Sequence, residues 1–177
     1  MKKLLFSVLI VIMVVFLFNS CKKKVKTEPA PVKVEKVEEQ APKIEKPKLT
    51  EEEIFQKKSL DEINKEGNLK RINFDFDKYV IRDDMKGILN NNADWLLKHP
   101  TVIITIEGNC DERGTVEYNM ALGEKRAQAA KKYLLSLGVK PEHIKVISYG
   151  KSKPLVKGVD EASYFQNRRD EFVIIKK

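Results

Sequence analysis

Residues 108–127 read GNCDERGTVEYNMALGEKRA, a charged stretch lying between two segments with clear and different periodicities. Before it, apolar and other residues alternate over residues 102–106, which predicts a strand with one apolar face. After its first eight residues, residues 116–137 repeat apolar side chains at helical spacing and end before Gly138, which predicts a long helix. A strand, a charged loop and a helix are therefore expected in direct succession.

The same two periodicities predict the remaining elements of the fold. The expected elements are a first strand over residues 72–76, a helix over 85–97, a third strand over 144–149, a short helix over 161–169 and a final strand over 172–175. The order βαβαβ(α)β predicts an α+β fold, a two-layer sandwich in which the helices pack on one sheet. No internal repeat is present in the sequence.

The N-terminus has the layout of a signal peptide, which we assign to residues 1–20. Two lysines precede fifteen uninterrupted apolar or small residues, 4–18, and Cys21 follows shortly after. A helix of fifteen residues reaches roughly 22 Å, less than the ~30 Å hydrocarbon core, so a cleaved signal is favoured over a membrane-spanning anchor. Ser20-Cys21 resembles the lipobox of bacterial lipoproteins, in which the cysteine is diacylated and becomes the new N-terminus. The alternative is an ordinary signal peptide with a chance cysteine.

Two segments of different composition separate Cys21 from the expected domain. Residues 21–48, from the lipidated cysteine on, are mostly Lys, Glu, Val and Pro, and such a composition predicts a disordered tether. Residues 49–68 contain capping-box patterns that begin at Thr50 and Ser59, which predict a lead-in of two short helices. The folded domain is assigned to residues 69–177.

The positive charge of the chain is not concentrated on the domain. Residues 1–20 carry a net charge of +2, residues 21–48 carry +4, and residues 49–177 carry +2. A nucleic-acid-binding protein would concentrate its basic residues on the folded part, so this class is excluded.

Four sequence blocks resemble the peptidoglycan-binding domain that is shared by the C-terminal parts of OmpA proteins and by peptidoglycan-associated lipoproteins. The blocks are Phe74–Lys78 with Ile81-Arg82, residues 108–127, Ser148–Pro154 and Asn167–Arg169. They occur in one order over roughly residues 70–175, and the signal peptide and tether fit the lipoprotein branch. The resemblance implies an OmpA-like sandwich with one mixed four-stranded sheet.

The resemblance also implies a ligand and the residues that bind it. The family binds the stem peptide of the cell wall through diaminopimelate, whose side chain ends in one ammonium and one carboxylate. A carboxylate suits the ammonium, and the planar guanidinium of Arg engages both oxygens of the carboxylate. Carried over to this sequence, Asp111 accepts the ammonium and Arg126 holds the carboxylate. The further contacts implied by the family are Phe76, Asp77, Arg113, Thr115 and Leu122.

Several residues of these blocks also have a purely structural interpretation. Asp111 and Arg126 could form only a salt bridge within the protein. The pattern Asp75-x-Asp77 is weak evidence for a metal site, and we expect Asp75 to make a loop hydrogen bond. Asn167–Arg169 is too short for a basic patch, and in the family it braces the site.

The sequence departs from the family in one block. Asn109 and Cys110 stand where the family more commonly has His and Ala or Thr. The loss of the His removes a titratable group beside the site. We expect Cys110 to be half-buried, with Asp111 and Glu112 raising rather than lowering the pKa of its thiol.

The sequence predicts a binding protein rather than an enzyme, without a cofactor and without a metal. His99 and His143 have no partners at metal-ligand spacing, and the chain contains no G-x-S-x-G motif or phosphate-binding glycine loop. Paired carboxylates could serve a glycosidase, but a domain of this size hardly accommodates the long saccharide cleft that a wall-cleaving enzyme needs.

The resemblance implies an outer-membrane lipoprotein that binds peptidoglycan and tethers the membrane to the wall. Lys22, rather than Asp, follows the cysteine, which favours sorting to the outer membrane. The implied protein partner is similar to the TolB β-propeller and competes for an overlapping face, within a Tol-Pal-like system that acts in division. Two alternatives remain: a periplasmic adaptor of the same fold that acts through protein contacts only, and an inner-membrane anchor that works with a motor complex.

Overall fold

The computed structural model describes residues 48–177. The predicted signal peptide, Cys21 and all but the last residue of the predicted tether lie outside this range. The helices are α1 (Glu51–Lys57), α2 (Leu60–Glu66), α3 (Asp83–Lys98), α4 (Val116–Ser136) and α5 (Glu161–Asn167), and the strands are β1 (Ile72–Asn73), β2 (Ile103–Asn109), β3 (Ile144–Gly150) and β4 (Arg169–Lys176). No helix within residues 48–177 combines the length and the apolar character that crossing a membrane requires.

The strands form one mixed sheet in the order β1-β4-β2-β3. Strands β2 and β3 are parallel, whereas β4 runs antiparallel to both β1 and β2. The helices and the sheet share one core, whose fully or almost fully buried side chains include Leu89 and Ala93 from α3, Ala127, Ala130 and Leu134 from α4, and Ile104, Ile106, Phe172 and Ile174 from the sheet. The prediction of an α+β sandwich with helices on a mixed four-stranded sheet is confirmed.

The two short N-terminal helices are held by local capping and by contacts with the domain. Thr50 and Ser59 both complete the predicted capping boxes, and Gly67 ends α2 in the left-handed conformation, with φ of 65°. The side chain of Asn64 donates a hydrogen bond to the carbonyl of Ile174 (3.0 Å) and accepts one from its N–H (2.9 Å). This pair of bonds continues the edge of β4 beyond the end of β1, so α2 is part of the folded unit.

The predicted bounds of the first and last strands are wrong. The expected strand over residues 72–76 ends at Asn73, and Phe76 lies outside it with 55% of its surface exposed. The chain turns here because Asp77 adopts a left-handed conformation, with φ of 56°. At the other end of the chain, β4 begins at Arg169 rather than at residue 172, because Arg169 and Asp170 pair with β1.

A close approach between a strand and a helix sets the position of α4 on the sheet. A Cβ atom added to Gly108 on β2 would overlap the backbone carbonyl of Gly123 on α4. The two backbones touch because neither residue carries a side chain. Gly108 and Gly123 both belong to the charged stretch of residues 108–127, so their contact fixes how the loop between β2 and α4 is placed at the end of the sheet.

We expect Gly108→Ala to lower the free energy of unfolding by about 3 kcal/mol, because backbone must move to admit the new methyl group. Gly87→Ala is the matched control, since a Cβ at this position in α3 meets nothing within 4 Å. It should raise the free energy of unfolding by about 0.5–1 kcal/mol through helix propensity alone. Urea unfolding of the full-length chain measures both changes. Equal effects of the two substitutions would contradict the close approach.

Candidate ligand-binding site

A pocket of about 180 Å³ opens at the end of the sheet where the turn after β1, the loop after β2 and the first turns of α4 meet. Six of the seven residues predicted to bind peptidoglycan line this pocket: Phe76, Asp77, Asp111, Arg113, Leu122 and Arg126. The seventh, Thr115, lies beside the pocket and caps α4, its hydroxyl accepting a hydrogen bond from the N–H of Tyr118 (3.1 Å). The fold therefore brings Asp111 and Arg126 to one opening, although fifteen positions separate them in the sequence.

Asp111 lies at one side of the pocket, with only 4% of its surface exposed. Arg113 donates to both carboxylate oxygens, at 2.6 Å from Nη2 and 3.2 Å from Nε, and Arg168 donates from Nη1 at 3.2 Å. Burial by itself would raise the pKa of this carboxyl, but the hydrogen bonds from Arg113 and Arg168 outweigh burial and hold the pKa below its usual value. Asp111 is therefore ionised at neutral pH.

The interpretation of Asp111 and Arg126 as a simple salt bridge is wrong. Within residues 48–177 the ion-pair partners of Asp111 are Arg113 and Arg168. Arg126 instead lies at the base of the pocket, where its guanidinium donates hydrogen bonds to backbone carbonyls and forms no ion pair with Asp111.

The guanidinium of Arg126 is bound by backbone carbonyl groups from two segments of the chain. Arg126 is fully buried on α4 and donates to the carbonyls of Lys78 (2.8 Å), Asn109 (2.9 Å) and Asp75 (3.2 Å). Burial lowers its pKa, although an arginine stays protonated at any physiological pH. The pocket thus contains a buried cation whose hydrogen-bond acceptors are uncharged carbonyls, an arrangement that favours an additional anionic acceptor.

Arg113 is held in place by two aromatic rings. Its guanidinium lies 4.0 Å from the ring centre of Phe76 on one side and 4.2 Å from that of Tyr164 on the other. Glu161, at 3.5 Å, gives it a second carboxylate partner besides Asp111. The stacking explains why Phe76 stays outside the core, since its ring forms one wall of the pocket.

Two residues that the sequence analysis did not assign to the site contribute directly to it. Tyr118, on the first turn of α4, donates its hydroxyl hydrogen to Asp77 across the pocket mouth. Arg168 lines the pocket and also donates to the carbonyl of Phe74 (3.0 Å), so of the three residues Asn167–Arg169 expected to brace the site, Arg168 contacts it directly. Tyr118 lies within the charged stretch, and its place in the first helical turn beside the loop is the signal that could have identified it.

Cys110 is more deeply buried than predicted. It is only 3% exposed, since α4 covers it, and its thiol contacts the carbonyl of Asn119 and the guanidinium of Arg126, both at 3.4 Å. Burial raises the pKa of the thiol to about 11, with a further contribution from Asp111. The predicted direction of the shift is confirmed, but burial is its main cause.

Asp75 takes part in local ion pairs. Its carboxylate accepts from Arg82 at 2.6 Å and from Lys78 at 3.4 Å, as expected of a loop residue. In the part of the chain that the structure describes, no three His, Cys, Asp or Glu side chains are grouped closely enough to hold a metal ion.

Comparison with protein families identifies the family to which the domain belongs. The family described as the OmpA family matches residues 73–168, which is more than half of the chain and contains every pocket residue named above. The chain belongs to the OmpA family. The resemblance carried by the four sequence blocks is thus confirmed, and the OmpA-family match begins in β1 and ends where β4 starts.

The OmpA-family domain is similar to proteins named peptidoglycan-associated lipoprotein. One from Rhizobium meliloti is 50% identical over 99 residues, covering 56% of this chain and 56% of the relative. One from Pasteurella multocida is 49% identical over 96 residues, covering 54% of this chain and 64% of the relative. The crystal structure of the peptidoglycan-associated lipoprotein from Burkholderia pseudomallei superimposes with a TM-score of 0.57 at 47% identity, covering 59% of this chain and 88% of that chain.

The chain thus matches little more than half the length of the first of these relatives. The names of the matched proteins describe lipoproteins associated with peptidoglycan, which agrees with the prediction that this chain is not an enzyme.

We expect Asp111→Asn to lower the free energy of unfolding by about 3 kcal/mol at pH 7, because buried Arg168 loses a charged partner while Glu161 remains. Since the pKa of Asp111 is lowered in the folded state, its ionic contribution is complete above the ordinary carboxyl pKa of about 3.9 and is lost as the pH falls further. The difference in free energy of unfolding between the wild type and Asp111→Asn should therefore become smaller below pH 4.

Asp83→Asn is the control for this measurement, since the side chain of Asp83 is 94% exposed in its pair with Lys86. It should change the free energy of unfolding by less than about 0.5 kcal/mol. Urea unfolding at a series of pH values measures both variants. An Asp111→Asn variant as stable as the control at pH 7 would show that the Arg–carboxylate cluster does not hold the site together.

Proposed function

We propose that this protein is an outer-membrane lipoprotein that binds the stem peptide of peptidoglycan non-covalently and so tethers the outer membrane to the cell wall. The observation that carries the proposal is the joint presence, in one pocket, of the ionised carboxylate of Asp111 and the buried guanidinium of Arg126. The similarity to proteins named peptidoglycan-associated lipoprotein supports the same ligand class.

The charges around the pocket suit a ligand group that is itself a zwitterion. The pocket is lined by two carboxylates (Asp77 and Asp111) and three guanidinium groups (Arg113, Arg126 and Arg168), and Glu161, ion-paired with Arg113 and Arg168, brings the carboxylates to three. A purely anionic or cationic ligand would upset this balance in a partly buried site. The end of a diaminopimelate side chain brings one ammonium and one carboxylate, so it adds no net charge.

The carboxylate of the ligand is assigned to Arg126. The weakest contacts of this guanidinium are those to the carbonyl of Asp75 at 3.2 Å and to the sulfur of Cys110 at 3.4 Å. A ligand carboxylate offers the guanidinium charged acceptors, which form stronger hydrogen bonds than these neutral ones do. Two parallel N–H···O bonds would fix the orientation of the ligand.

The ammonium of the ligand is assigned to Asp111. In the structure, Arg113 occupies both oxygens of this carboxylate. Arg113 can release one of them at small cost, because Glu161 and the rings of Phe76 and Tyr164 still hold its guanidinium. The carboxylate of Asp77 lies at the mouth of the pocket and is a second acceptor for the ammonium.

The size of the pocket limits how much of the ligand it can take. Its volume of about 180 Å³ is below the ~300–1,000 Å³ of typical small-molecule sites. The pocket therefore receives the end of an amino-acid side chain, and the glycan stays outside. This agrees with a binding role, because a wall-cleaving enzyme would need a cleft for several sugars.

The N-terminal segments would connect the wall to the membrane. With lipid on Cys21, the acyl chains would anchor the protein, each buried methylene contributing about 0.8 kcal/mol. The tether of residues 22–48 would then let the domain reach about 80 Å from the membrane at ~3.1 Å per residue.

A protein partner is supported by apolar side chains exposed around the pocket. Phe76, Val116, Tyr118 and Met120 are each at least 40% exposed. A TolB-like partner bound to this rim would cover the pocket and compete with peptidoglycan, as in a Tol-Pal-like system. The same rim also supports the alternative of an adaptor that acts through protein contacts only.

A pull-down with purified sacculi tests the proposal. The full-length chain in detergent should sediment with sacculi, and Asp111→Ala should weaken retention by at least ~30-fold, because the ammonium of the ligand loses its buried partner. Arg126→Lys keeps the positive charge but removes the planar fork, so it should weaken retention as well. Melting curves of both variants report whether they remain folded.

Asp83→Ala is the control, since this exposed carboxylate lies on α3 away from the pocket. It should be retained like the wild type. If folded Asp111→Ala and Arg126→Lys variants are retained as well as the control, the site assignment is wrong. If the wild type itself does not sediment with sacculi, the adaptor alternative is favoured.

A further inference from the structure

Asp170 is a buried carboxyl group that the proposed binding mechanism does not use. It has no exposed surface, and neither of its oxygens has a hydrogen-bond partner among the residues that the structure describes. Asp170 is opposite Gly108 on β2 and Ile72 on β1. It therefore lies on the side of β4 that also presents Phe172 and Ile174 to the core.

An acid at this place in the apolar face of the sheet is expected to hold its proton. A buried carboxylate without donors is far more costly than a buried neutral carboxyl group. Burial accordingly raises the pKa of Asp170 well above the usual value, and the charge of Arg126 opposes this shift.

Arg126 is the charged group that acts on Asp170, since its positive charge opposes the rise in the pKa of Asp170. Helix α4 covers this side of the sheet, as the contact between Gly108 and Gly123 shows, and Arg126 on α4 and Asp170 on β4 are both fully buried. The two do not form an ion pair, and the guanidinium binds backbone carbonyls instead.

The other groups around Asp170 leave Arg126 as its main electrostatic partner. The segment after β2 contributes the thiol of Cys110, which is protonated at neutral pH because its pKa is raised to about 11. The strand neighbours Gly108 and Ile72 are uncharged. The buried side chains of α3 are uncharged as well: Leu89, Asn92, Ala93 and Leu96.

We propose that Asp170 is a positioning residue that acts through Arg126. While Asp170 carries its proton, no negative charge on Asp170 competes for the guanidinium of Arg126, which can then pair with a ligand carboxylate. Ligand binding at the pocket is therefore linked to the protonation of Asp170. The inference rests on the proposed function, since it concerns the carboxylate end of the same ligand.

The sign of the linkage follows from the charges. An ionised Asp170 would place a negative charge behind Arg126 and weaken its attraction for the ligand carboxylate. Conversely, a bound carboxylate disfavours ionisation of Asp170, so the protein takes up a proton from solvent on binding wherever Asp170 is partly ionised in the free state. Affinity should therefore fall as the pH rises, by up to about tenfold per pH unit for one linked proton.

The test is calorimetric titration of the full-length chain in detergent with a stem peptide that carries diaminopimelate at its third position. Titrations from pH 5 to 8, over which the amino group of the ligand stays mostly protonated, in buffers of different ionisation enthalpy, give both the affinity and the number of protons taken up. The wild type should bind more weakly as the pH rises, with proton uptake. Asp170→Asn, which mimics the protonated acid, should keep the low-pH affinity of the wild type at every pH and lose the proton uptake.

Two further variants make the outcome decisive. Asp170→Val, which also lacks an ionisable group and suits the apolar face, should show the same flat profile and replaces Asp170→Asn if that variant does not fold. Asp83→Asn, an exposed carboxylate on α3, should keep the wild-type profile. If the wild type and the Asp170 variants have the same profile, the linkage is wrong while the proposed function stands. If the peptide binds to none of them at any pH, the proposed function and the linkage are both overturned.

Discussion

The burial of the Arg126 guanidinium is the constraint on which the site depends. A cation removed from water must be compensated, and here the compensation comes from the backbone carbonyls of Asp75, Lys78 and Asn109. These three hydrogen bonds tie the turn after β1 and the end of β2 to α4. The pocket is the space that remains between the segments joined in this way.

The carboxylates near the pocket are arranged so that Arg126 has no anionic partner among the described residues. Asp111 is held by Arg113 and Arg168, and Glu161 binds the same two arginines. Asp170 is fully buried, and burial raises its pKa well above the usual value. Arg126 can therefore attract an anion, while Asp111 offers a carboxylate a short distance away. A ligand that carries both charges satisfies both groups at once.

Local sequence patterns were sufficient to predict much of the fold. The periodicity of α3 and α4 and the capping boxes at Thr50 and Ser59 depend on neighbours in the chain, and the structure confirms them. The exit of Phe76 from β1 depends instead on a left-handed residue, Asp77, which is not a glycine and gives no sequence signal. An alternating pattern alone could not show that this phenyl ring stacks on Arg113.

The charged residues of the site could be predicted only where the family resemblance included them. The motif placed Asp111 and Arg126 in one pocket, but the partners of each follow from the tertiary structure. Arg168 reaches Asp111, and Asp170 lies opposite Gly108 and Ile72, because β4 lies between β1 and β2. That order of strands cannot be deduced from the periodicity of β4 itself.

The central claim is that the pocket holds one ligand group by its ammonium and its carboxylate together. It is tested most directly by calorimetric titration with two stem peptides that are identical except at the third residue, which is diaminopimelate in one and lysine in the other. Lysine keeps the ammonium and lacks the carboxylate that Arg126 would bind. The account predicts binding of the diaminopimelate peptide and an affinity at least ~30-fold lower for the lysine peptide. Equal affinities would contradict it.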